Sequence, residues 1–164
     1  MEVHTMITYD RSPDSVPEAF DAIVASVAGE AIVGLWWKVF LPRHFTPRGA
    51  QIYGYAPRSA KYQQRKLREK HHQDPFVWSG TTKAMTMGAI EITVESNKHF
   101  NVSVVGRMRA PHYVFTQRKQ HAQMWQELLV TPSGERAAMI GFMQRRFIER
   151  VRLDAFEAEM TRIE

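Results

Sequence analysis

Three groups of side chains have the composition that chemistry requires, and their spacing argues against each. His71, His72 and Asp74 form the tightest cluster of metal-capable groups. Adjacent histidines point to different sides of a helix, whereas two imidazoles on one face need i, i+4 spacing. Structural metal sites also need three or four convergent ligands. A solvated helix end is the reading for this cluster. Glu91 and Glu95 share a strand face, which would suit a nuclease that holds its ions with carboxylates. Both alternate with apolar residues, as outward-facing strand positions do, and no third acid and catalytic lysine sit at a telling distance from them. Ser79 and Ser133 each precede a glycine, but neither lies in a Gly-x-Ser-x-Gly elbow. Gly80 and Gly88 are too far apart for a dinucleotide loop, and no Walker sequence occurs. The expectation is a protein with no catalytic residues, no metal and no cofactor.

Composition narrows the class further. The 164 residues are 44% hydrophobic and 24% charged, the profile of one soluble globular domain spanning 1–164. The absence of cysteine excludes disulfides, thiolate zinc sites and cysteine nucleophiles. Apolar stretches such as Ala31–Trp37 are short of a bilayer span, and Met1-Glu2-Val3-His4 lacks a signal pattern, so no membrane partner is expected. The net charge of +5 is unevenly spread. Six acids and one arginine leave −5 in residues 1–37, while nine Lys/Arg against Glu69 leave +8 in residues 38–72. Residues 73–106 carry −1 and residues 107–164 carry +3. Such blocks suit a chain that meets charged partners, copies of itself included. Trp36, Trp37, Phe40, Phe45, Tyr53, Tyr55 and Tyr62 interleave with Lys38, Arg43, Arg48, Arg58 and Lys61. That mixture can stack on single-stranded nucleic acid or build a protein interface.

The elements that must position these residues follow from periodicity. Val3–Tyr9 reads as a strand ended by the turn cluster Asp10–Asp14. Asp14 or Ser15 can cap a helix with Pro17 in its first turn. Phe20, Ile23, Val24, Val27, Ala31 and Leu35 then mark a core stripe running to about Trp37. Pro42 and Pro47 make 43–49 an irregular connection. Ser59–His71 reads as a helix polar almost all round, with Tyr62 and Leu67 as its apolar anchors. Ser79-Gly80-Thr81 opens a short helix through Met85. Ile90, Ile92 and Val94 alternate with Glu91, Thr93 and Glu95. Phe100, Val102 and Val104 then alternate with Asn101, Ser103 and Val105, across a turn at Ser96-Asn97-Lys98, as a β-hairpin. Gln123–Leu129 is a helix. Thr131-Pro132 starts a last helix to about Thr161, with Met139, Ile140, Met143, Phe147, Val151, Phe156 and Met160 on its apolar face. The fold class is α+β: a single domain in which an antiparallel hairpin or sheet is packed by an N-terminal helix and a long C-terminal helix.

An ordered series of motifs carries a resemblance. Phe45-Thr46-Pro47, Tyr53-Gly54-Tyr55, Arg58-Ser59-x-x-Tyr62-x-x-Arg65-Lys66 and Pro75-Phe76-Val77-Trp78-Ser79-Gly80 follow one another. Trp125-Gln126-Glu127-Leu128 and Glu135 then precede the closing helix. This series resembles the bacteriophage virion morphogenesis proteins, the tail-completion or neck (head–tail joining) proteins of long-tailed phages. The likeness covers residues 35–85 well and the remainder loosely. Phe76 stands where that group usually has an aliphatic residue, and 107–122 matches no motif. The resemblance implies a structural virion protein, assembled in the host cytoplasm, that forms a ring of copies of itself and joins tail to head. Its partners would be other neck and tail proteins, with transient contact to genomic DNA.

On that reading Arg58, Lys61, Arg65, Lys66, Arg68 and Lys70 are the interface or DNA-facing basic set. Tyr62, Trp78, Ser79 and Gly80 are structural: the Tyr62 ring shields the Lys66 stem, Trp78 anchors the turn in the core, and Gly80 serves a positive φ. The alternative is a nucleic-acid-binding module using the basic, aromatic-rich segment 38–72.

Overall fold

The computed structural model describes residues 2–8, 18–96, 101–115 and 124–160; for 2–8, 18–19, 95–96, 101–102 and 154–160 only the backbone course is described. The expected turn at Asp10–Asp14, the caps Asp14 and Ser15, Pro17, Phe100, the hairpin turn at 97–98, residues 116–123 and the side chains of Phe156 and Met160 lie outside those bounds. The strands are β1 (Glu2–Thr8), β2 (Ile90–Ser96) and β3 (Asn101–Met108), and the principal helices are α1 (Glu18–Ala31) and α6 (Ser133–Met160). Between them lie α2 (Gly49–Tyr53), α3 (Ala60–Lys70), α4 (Thr81–Gly88) and α5 (Met124–Leu129). The fold is α+β, with a three-stranded antiparallel sheet in the order β1-β3-β2. Gly106 of the central strand faces Val3 on one side and Ile92 on the other.

The N-terminal helix does not stop near Trp37. It continues as a π-helical run over Ile32–Phe40 and a 3₁₀ turn over Leu41–Phe45, with Leu41 N–H donating to the Trp36 carbonyl five residues back. Pro42 was expected to break the chain. It sits instead in the first turn of the tighter segment, where a missing N–H is tolerated. The wider turns also move the buried line. Ile32, Trp36, Phe40, Leu41 and Phe45 point inward, while Leu35, expected in the stripe, is only half-buried. The run Phe20–Phe45 is long and apolar enough to cross a membrane by length and composition, although no single apolar stretch within it is. Here its apolar face packs against β3 and α6, with Phe20 edge-to-face on Phe147 at 5.0 Å.

Strand alternation holds in part and fails at one position on each face. Val104 is buried as expected, but Val105, on the opposite face of the central strand, is fully buried too. Val94, expected inside, is half exposed on edge strand β2. Gly106 lets the sheet meet the helix closely: a Cβ there would stand 3.0 Å from both Ile32 Cγ2 and Ile90 Cδ1.

The connection 43–49 is not irregular throughout, since it is helical to Phe45 and α2 begins at Gly49. A Cβ on Gly49 would lie 2.7 Å from the His44 carbonyl oxygen and 2.8 Å from that of Arg43. Backbone atoms cannot move aside as a flexible side-chain tip would. Gly49→Ala is therefore expected to cost about 2–3 kcal/mol, read as a lowered urea midpoint with an unchanged m-value.

Helix α6 starts after Pro132, whose carbonyl accepts from Arg136 N–H at 3.0 Å. The Thr131 hydroxyl bonds the Leu129 carbonyl rather than capping the helix. Met139 is buried and Met143 and Phe147 pack against the core, but Ile140 and Val151, expected on the same face, are exposed along with Ile148 and Leu153.

Candidate functional site

Helix α3 is opened by Ser59, whose hydroxyl accepts from Tyr62 N–H, and closed by His71 in the left-handed conformation. Its outward face carries Lys61 and Arg68, with Arg65 beside them pairing with Glu69 at 3.3 Å. Exposed pairs of this kind contribute little to stability. Trp78 does not anchor the turn in the core. It lies half-buried against α3, its ring 5.7 Å from that of Tyr62, with the Arg65 guanidinium at 4.7 Å and Lys70 Nζ at 5.7 Å over it. Ser79 Oγ stands 2.8 Å from Thr81 Oγ1, and Gly80 has φ +82°, as its role in the turn requires.

Two members of the basic set do not face outward. Lys66 is buried, 3% exposed, and its Nζ donates to the Asp74 carbonyl, with the Tyr62 ring centroid 6.0 Å away. The helix turns this position toward the 73–76 segment, which polarity alone does not reveal. Arg58 is drawn inward by Glu127 of α5, to which both of its terminal nitrogens donate. Of the set, Lys61, Arg65 and Arg68 are therefore exposed, while Lys70 and the Glu127-paired Arg58 are half-buried.

Arg58 and Glu127 belong to a buried polar network that joins segment 43–58 to α5 and α6. Glu127 also accepts from Ala56 N–H at 3.0 Å. The Tyr53 hydroxyl lies 2.8 Å from Glu135 Oε1 and 3.1 Å from the Phe40 carbonyl, and Arg43 reaches the same carboxylate oxygen at 3.5 Å. The His44 ring stacks on Tyr53 at 3.6 Å, and His44 Nδ1 is hydrogen-bonded to the Tyr55 hydroxyl. Burial pushes the His44 imidazole down to about 3, opposed in small part by the Glu127 main chain. Burial, then the Glu135 carboxylate, pushes Tyr53 upward, and burial, then Tyr53 and the Glu127 and Glu135 carboxylates, pushes Tyr55 upward, so both stay phenols and can donate. Among the described residues, His44 Nε2, Glu135 Oε2 and Trp36 Nε1 have no hydrogen-bond partner. The motif residues Tyr53, Tyr55, Glu127 and Glu135 thus meet in space, a convergence that no single segment's pattern signals.

Beside this network lies a cleft of about 250 Å³ lined by Tyr55, Pro57, Arg58, Tyr62, Lys66 and Phe76, among others. A shallower groove of about 740 Å³ follows α1, between Ile92 and Val94 of β2 and Phe142 and Arg146 of α6. The sequence's metal-capable cluster does not gather ligands: His72 Nδ1 accepts from Asp74 N–H at 3.2 Å, and His71 is exposed at the helix end. No group of three or more metal-capable side chains occurs among the described residues. Glu91 is exposed opposite Arg107 in the strand register. Of the aromatics interleaved with the basic block, Trp36, Phe40, Phe45 and Tyr53 are buried in the core and offer no face for stacking. No family model, curated protein or solved structure matches this chain.

Proposed function

We propose that this chain is a structural subunit of the neck or tail end of a long-tailed phage virion, assembling as a ring that joins tail to head. One observation carries the reading. Motif pieces far apart in sequence are partners in space: Arg58 with Glu127, and Tyr53 with Glu135. A chance likeness between short motifs has no reason to place their polar members on one another. Their side chains spend their hydrogen bonds inside the fold, which leaves recognition to the surfaces. Those surfaces are the cationic face of α3 and the exposed apolar residues Ile140, Ile148 and Val151 of α6. Ring contacts are head-to-tail, so one patch need only complement a different one.

Electron microscopy of particles made without this protein tests the proposal. Filled heads and complete tails should accumulate unjoined, and expression in trans should restore joining. Normally joined virions would overturn it.

The cluster Lys61, Arg65 and Arg68 favours a second reading, nucleic-acid binding through phosphate contacts. A salt titration with duplex DNA separates the two. The structural reading expects binding to vanish at physiological salt, and tight binding that persists there would favour the module.

A further inference from the structure

We infer that the cleft between α3 and the segments 55–58 and 73–76 receives a carboxylate on a short apolar stem, held by Lys66. The cleft is lined by two cations, and they differ in kind. Arg58 is neutralised by Glu127, to which it donates twice. Lys66 has no carboxylate within 4.0 Å among the described residues, although it is the buried one. Its Nζ spends one of three N–H bonds on the Asp74 carbonyl, while the Asp74 carboxylate lies 3.9 Å from His72 Nδ1 instead. Buried charges in folded proteins are paired, because an uncompensated ammonium in a dry site costs far more than an exposed one. Burial accordingly pushes Lys66 below the ordinary lysine range, with Asp74 only partly offsetting it.

The space beside the ammonium decides what can pair with it. A volume of about 250 Å³ is below that of a drug-sized pocket and fits a short acid. Apart from Gln63 and Gln73, the other walls are apolar or aromatic, with the rings of Tyr55, Tyr62 and Phe76 and prolines 57 and 75 among them, which suits methylenes rather than a second charge. Gln63 Nε2 donates to the Arg58 carbonyl at 3.1 Å and braces one wall. The carboxylate has two possible sources, a free small acid or an acidic side chain of a second copy. The inference rests on the cleft and not on the virion reading.

The test uses the full chain, with propionate as the probe and propionamide as the uncharged control. Propionate should shift the Lys66 side-chain resonances saturably and raise the lysine's titration midpoint by about one unit. It should also raise the melting temperature by about 2–4 °C, with neither effect from propionamide. Lys66→Met should lose the thermal response; the resonance measurement on the native chain stands even if that variant folds poorly. A dilution series without propionate separates the sources: shifts at Lys66 that grow with protein concentration assign the carboxylate to a second copy, and their absence assigns it to the free acid. No saturable change at Lys66 with propionate or with protein concentration overturns the inference, as does an equal thermal response in Lys66→Met.

Discussion

Arg58→Ala should destabilise the chain by about 3–5 kcal/mol, more than loss of any exposed cation of α3. The reason is what it leaves behind. Glu127 is 6% exposed and, among the described residues, keeps only the Ala56 N–H once both guanidinium bonds are gone. The reverse change, Glu127→Ala, should cost less, about 2–4 kcal/mol, because Arg58 is 32% exposed in its side chain and can turn to water. A double replacement by apolar residues, Arg58→Met with Glu127→Leu, should recover part of the loss, since neither charge is then stranded. Urea unfolding of the four proteins as a double-mutant cycle reads these differences directly. Equal and small costs for both single changes would mean that the pair is solvated and does not join segment 43–58 to α5. Lys61→Ala and Arg68→Ala serve as controls, expected within about 0.5 kcal/mol of the native chain.

Acidification should cost stability through His44. An unfolded histidine titrates near 6.5, and in the fold burial holds His44 at about 3. The folded state therefore refuses a proton that the unfolded state accepts. The contribution is fully present above pH 6.5 and is lost as pH falls from there toward 3. Between pH 7 and pH 4 the loss from this residue amounts to about 3 kcal/mol. Carboxylates titrate at the lower end of that range, so the decisive measurement is a difference. His44→Phe keeps a ring against Tyr53 and removes the titrating group. Its stability should fall less steeply between pH 6.5 and pH 4.5 than that of the native chain. Parallel slopes would show that His44 accepts its proton in the folded state.

Much of the fold was legible from periodicity, because burial repeats with the geometry of each element. The paired strands of the hairpin, the α1 stripe through Ala31, the helix that Ser59 starts and the helices α5 and α6 all follow from local patterns. The positive φ at Gly80 likewise follows from its place in the turn. Where the pattern failed, a distant neighbour had changed the rule. Val105 is fully buried on the face that alternation turned outward, and β1 and β2 flank it on both sides, an order of strands that no alternation within β3 encodes. Trp36 rather than Leu35 enters the core because the wider π-helical turns keep the repeated four-residue steps Ile32, Trp36 and Phe40 on one face, where a 3.6-residue period would drift.

The division is sharpest for charge. Composition determined that the chain is uneven, with an acidic start and a +8 block over 38–72, and that it lacks every arrangement thiol chemistry would need. Tertiary structure alone decided which of those charges are surface and which are not. Six cations in one block read alike in sequence, yet Arg58 ends against Glu127, 69 positions away, and Lys66 ends beneath the 73–76 segment. A local pattern records which side of its own helix a residue occupies. Whether that side meets water or another segment is settled by packing, which brings a carboxylate to Arg58 but only a main-chain carbonyl to Lys66.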